Sequence, residues 1–131
     1  MLVTPFYAAL FGLLFFALSV RTIRLRGKLR IGIGDADNPE MLRAMRVHAN
    51  FAEYVPLSLL LIYMLESHGA TVVLVHALCV VLLAGRLVHA YGVSRLKEDF
   101  RLRVFGMACT FAALVGASVS LIGFYISRLV S

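Results

Sequence analysis

Gly69–Gly85 reads GATVVLVHALCVVLLAG, without one Asp, Glu, Lys or Arg. A run of this kind is close to the roughly 20 apolar residues that cross a ~30 Å hydrocarbon core as a helix. Taken alone it would also suit a buried core helix. The runs around it decide the matter. Leu2–Val20 is apolar, Tyr54–Leu65 carries no charge, and from Val104 to Ser127 none appears. Hydrophobic residues make up 61% of the 131-residue chain and charged ones 15%, against roughly 45–50% and about 25% in ordinary globular chains. The mean hydropathy is +0.90. Water is not the main solvent of this chain, and in lipid every backbone amide must be bonded internally, which favours helices. The reading is an all-α integral membrane protein: a bundle of four transmembrane helices at about 3–24, 40–66, 70–94 and 102–128, in a single membrane domain over 1–131.

The connections sharpen that layout. Asn38-Pro39-Glu40 is a helix start, with a capping side chain, a proline at the first helical position and an acid in the first turn. Ser67-His68-Gly69 is short enough to make helices two and three an antiparallel hairpin. No basic segment precedes Leu2–Val20 and no small-residue cleavage site follows it, so it reads as a retained span rather than a signal peptide. Cys79 and Cys109 each lie within apolar runs, where a thiol packs as a small hydrophobe.

Charge sets the orientation. Of the 13 Lys and Arg residues, Arg21, Arg24, Arg26, Lys28, Arg30, Arg43 and Arg46 flank the first connection, and Arg86, Arg95, Lys97, Arg101 and Arg103 flank the third. Only Arg128 lies near the other membrane face. By the positive-inside rule the connections 26–39 and 94–101 are cytoplasmic and both termini are outside. The net charge of +6 is spread over helix ends and forms no separate basic domain, which points to lipid headgroups and away from nucleic acid.

Arg43, Arg46, Asn50 and Glu53 follow one another at i, i+3, i+7 and i+10 and share a face of helix two. Glu53 falls at hydrocarbon depth, where an acid costs several kcal/mol unless it is paired or lines a wet cavity. It is therefore read either as part of a functional site or as the partner of an arginine on a neighbouring helix, Arg86 among them. Arg86 and His89 stand three residues apart at the basic end of helix three. Several arginines with one acid and one amide suit a small anionic ligand that also carries an amine. On composition, glutathione, a nucleotide and a lipid headgroup all qualify. His48, His68 and His76 have no metal-ligand spacing, and Gly32 and Gly34 do not sit between a strand and a helix as a phosphate loop requires. Ala113, Gly116, Ser120, Gly123 and Ser127 predict a close-packing face on helix four. Pro56, inside helix two, leaves the carbonyl of Ala52 without its amide partner and predicts a bend.

Arg46-x-x-x-Asn50-x-x-Glu53-Tyr54-x-Pro56 resembles the pattern of the MAPEG superfamily, membrane-associated proteins in eicosanoid and glutathione metabolism. Ile23-Arg24-Leu25-Arg26 and Gly85-Arg86-x-x-His89 are similar to their counterparts there, and the likeness covers nearly the whole chain. The resemblance implies a homotrimer in a bacterial inner membrane, with glutathione bound between neighbouring subunits near the cytosolic side. It implies that Arg24, Arg46, Asn50, Glu53 and His89 contact the tripeptide, with Arg86 in the same set. An arginine at the start of helix four, Arg103 or alternatively Arg101, would stabilise the thiolate. The implied activity is a glutathione transferase or peroxidase acting on lipophilic electrophiles from the bilayer. Ala49, Val93 and Val104 depart from the eicosanoid-synthesising members, which argues against that specialisation. Two other classes fit the same sequence: a small proton-coupled transporter using Glu53, and a non-catalytic membrane scaffold or lipid-binding component.

Overall fold

The computed structural model describes residues 2–97 and 99–130; position 98, within the third connection, lies outside them. Four helices follow in order: α1 (Thr4–Leu29), α2 (Pro39–Ser67), α3 (Val72–Ser94) and α4 (Phe100–Val130). Three of them, α1, α3 and α4, are long and apolar enough to cross a membrane. α2 is as long, but Asn50, Glu53, Pro56 and the charged first turns dilute its apolar half. The outer surface is apolar, with Phe16 67% exposed, Val73 79% and Val119 62%. Such a surface suits a hydrocarbon surrounding.

α2 begins where the sequence places it. The Asn38 side chain accepts hydrogen bonds from the backbone N–H groups of Glu40 and Met41, both at 3.0 Å, and Pro39 occupies the first turn. The helix runs unbroken through Pro56. α1 extends further than its apolar run, to Leu29 instead of about residue 24, because Arg24, Leu25, Arg26 and Lys28 are all good helix formers. It ends at Arg30 in the left-handed conformation, φ 56°, whose N–H bonds back to Gly27. The basic end of α1 is thus a rigid rod and not a loop.

The core lies between all four helices: Phe11 and Leu18 of α1, Val47, Phe51 and Ile62 of α2, Val75 and Leu82 of α3, and Ala113 and Ala117 of α4. Polar pins hold α1 in place. Both oxygens of Glu66, at the end of α2, accept from the N–H groups of Val3 and Thr4 at the start of α1, the latter at 2.9 Å, so an acid caps the positive end of that helix. The Tyr7 hydroxyl and His76 Nδ1 are 3.0 Å apart, and His48 Nε2 is 3.0 Å from the Ser19 hydroxyl while its ring stacks on Phe15. His76 and His48 are interhelical fasteners.

The closest approach is between α3 and α4. A Cβ on Gly106 would sit 2.7 Å from the Cβ of His89 and 2.8 Å from the carbonyl of Gly85, and one on Gly85 would sit 2.7 Å from the Cβ of Cys109. A Cβ on Gly92 would meet that of Leu102 at 2.9 Å. Only hydrogen fits at these three positions. The small-residue face expected further along α4 is packed inside the subunit at Ala113, but Gly123 and Ser127 are exposed. The contact sits nearer the charged end because the glycines there occur on both helices.

Candidate functional site

At that charged end α2, α3 and α4 enclose an open pocket of about 260 Å³. Arg43, Arg46 and Asn50 face it from α2, His89 from α3 and Arg103 from α4, with Pro39, Leu42 and Val93 as its apolar wall. Among the described residues no carboxylate lines it. The glycine contact is what builds it: Gly106 lies against His89, which brings Arg103, one helical turn earlier, to the pocket that His89 and Arg46 also line. Arg43 also donates to the carbonyl of Val93 at 3.2 Å, tying α2 to the end of α3. Arg21 of α1 reaches the Ser94 hydroxyl at 2.6 Å from the other side.

Beneath the pocket lies Arg86, 2% exposed. One terminal nitrogen donates to Asn50 Oδ1 at 2.6 Å and the other contacts the Met107 sulfur at 3.4 Å, while its Nε has no partner. The expected Arg86–Glu53 pair does not form: Asn50, one turn nearer the basic end, takes that position. Glu53 is exposed on the outer face of α2, not buried in the subunit. Burial between the helices of one chain is therefore not what shields this acid from lipid.

The other expected residues divide by face. Arg46, Asn50, His89 and Arg103 share the pocket; Arg101, two residues before Arg103 and so on another side of α4, does not line it, and its backbone N–H bonds to the Asp99 carboxylate. Arg24 lies apart, in a shallow concavity of about 500 Å³ on the outer side of α1, with Phe16, Val20, Arg21, Lys28 and Glu40. Arg43 and Val93 belong to the pocket although the family-like motif does not include them. Arg43's i, i+3, i+7 spacing with Arg46 and Asn50 was the signal for it.

The family profile of the MAPEG family matches residues 4–123, nearly the whole bundle including every pocket residue. The chain belongs to the MAPEG family. Among curated MAPEG relatives, the inner membrane protein YecN of Escherichia coli strain K12 is 40% identical over 114 residues, covering 87% of this chain and 86% of its own. YecN of E. coli O6:H1 strain CFT073 matches to the same extent. No solved structure matches the chain. Membership of the MAPEG family agrees with the helix-two motif and with the order of the four helices.

Proposed function

We propose that this protein binds glutathione in the cationic pocket and joins it through its sulfur to lipophilic electrophiles, or uses it to reduce lipid hydroperoxides, as a trimer of four-span subunits in a bacterial inner membrane. The observation that carries the reading is the division of the site between two faces. One subunit presents a pocket of about 260 Å³, just below the roughly 300–1,000 Å³ of complete small-molecule sites, and Arg24 stands on a different face. Joining the α1 face of one subunit to the α2 face of the next would complete the pocket. It would also cover Glu53, which otherwise meets lipid.

In such a site Arg46 and Arg24 hold carboxylates of the tripeptide, Glu53 receives its ammonium and Asn50 donates to an oxygen. Arg103 faces the sulfur. A free thiol has a pKa near 8.5, and a guanidinium beside it favours the thiolate. In conjugation the thiol proton leaves to solvent, the sulfur forms a bond to the electrophilic carbon, and the leaving group departs with its electron pair. In peroxide reduction two glutathiones supply two electrons and end as a disulfide, while the hydroperoxide becomes an alcohol and water. The positive-inside rule applied to the basic connections supports a mouth on the cytoplasmic side, where glutathione is supplied, with electrophiles entering along the apolar outer surface from the bilayer.

Co-expression tests the shared site. Arg24→Ala and Arg46→Ala variants should each lose glutathione binding. Mixed trimers should regain roughly a quarter of the sites, because random assortment pairs an intact α1 face with an intact α2 face at one interface in four. Recovery of none would mean that both residues serve a site within one subunit, and would overturn the shared interface.

A further inference from the structure

An arginine has five N–H donors and no acceptor, so whatever atom of Asn50 faces Arg86 must be its oxygen. The contact at 2.6 Å therefore fixes the amide as well as the side chain: Oδ1 points down to Arg86, and the NH2 group is left on the side of the pocket that Asn50 lines. A free asparagine can present either end. Here only one end is available to a ligand, and it is a donor.

Arg86 has few partners within the subunit in return. It is 2% exposed, its two recorded partners are an amide oxygen and a thioether, its Nε has none, and among the described residues no carboxylate pairs with it. A buried cation without a counter-charge is costly, and replacing such groups by apolar ones of similar size is often neutral or stabilising. Met107 beside it offers no negative charge that would explain it structurally.

We propose that Arg86 is a positioning residue for anion binding: its buried charge locks the Asn50 amide with its N–H groups toward the pocket, where they donate to a carboxylate or carbonyl oxygen of the ligand. The ligand then brings a negative charge that no described carboxylate supplies to Arg86. This rests on the glutathione reading for the identity of the ligand only. It also assigns Arg86 no contact with the ligand, because Asn50 stands between them.

The test compares wild type with Arg86→Met, Arg86→Lys and Asn50→Asp, reading the apo thermal midpoint in detergent and the glutathione Kd by calorimetry. Arg86→Met should keep or raise the apo midpoint and weaken binding about 10- to 100-fold, the worth of one charge-assisted hydrogen bond. Arg86→Lys should recover part of that affinity. Asn50→Asp places a carboxylate on Arg86 and should raise the apo midpoint, yet it removes the donor and should weaken binding at least as much. A lowered apo midpoint for Arg86→Met, or an unchanged Kd in that variant, overturns the proposal. If the wild type takes up no glutathione while Arg86→Met still raises the midpoint, glutathione is the wrong anion and the charge is still one held in reserve.

Discussion

Arg103→Ala is expected to lower kcat/KM for conjugation of a lipophilic electrophile by about 10²- to 10³-fold, the usual cost of removing one preorganised group facing a developing or stabilised anion. Arg103 lies in the first turns of α4 and lines the pocket from that side alone, so its guanidinium and the positive end of the helix act on the same point. The bound thiol of the wild type should titrate well below a free thiol, and in the variant its thiolate absorbance should move back toward the free value. Glutathione Kd should change far less than kcat, because the carboxylates are held elsewhere. An equal loss in both would make Arg103 a binding group and nothing more.

Gly106→Val is expected to remove the pocket altogether. A Cβ there meets His89 Cβ at 2.7 Å and the Gly85 carbonyl at 2.8 Å; these are backbone-anchored atoms that cannot turn aside, so the two helices must part. Overpacking of this kind costs about 1–3 kcal/mol or more, which would appear as a lower thermal midpoint in detergent. His89 and Arg103 stand on opposite sides of the displaced contact, so glutathione binding should fall at least tenfold in whatever protein remains folded. Gly27→Ala is the control: no atom lies within 4 Å of a Cβ built there, and alanine is the better helix former, so stability and binding should hold or improve. A tolerated Gly106→Val would mean that α3 and α4 do not meet as described.

The helices were legible because their signals are local. Asn38-Pro39-Glu40 starts α2 through a side chain bonding its own next turn, and the apolar runs mark α1, α3 and α4 by length alone. The end of α1 was not legible from hydropathy, since a helix can leave the hydrocarbon and continue through Arg24, Arg26 and Lys28. In the site, Arg46 and Asn50 followed from spacing on one helix, whereas Arg103 and His89 needed the family resemblance to join them. Two features depend on how the helices turn against one another, which one chain's periodicity does not encode. Arg86 takes Asn50 and not Glu53, although both lie on the same face of α2 and differ by three residues. Arg24 faces away from the pocket that the motif suggests it shares. The pair of glycines at 85 and 106 was visible as residues, but their contact is a property of two helices together.

The central claim is that the cationic pocket binds glutathione, and the direct measurement is calorimetric titration of the detergent-purified protein with the tripeptide, alongside folded Arg46→Ala and Glu53→Gln variants. Saturable binding by the wild type, lost in both variants, is the expected result. No binding by the wild type at millimolar glutathione would contradict it.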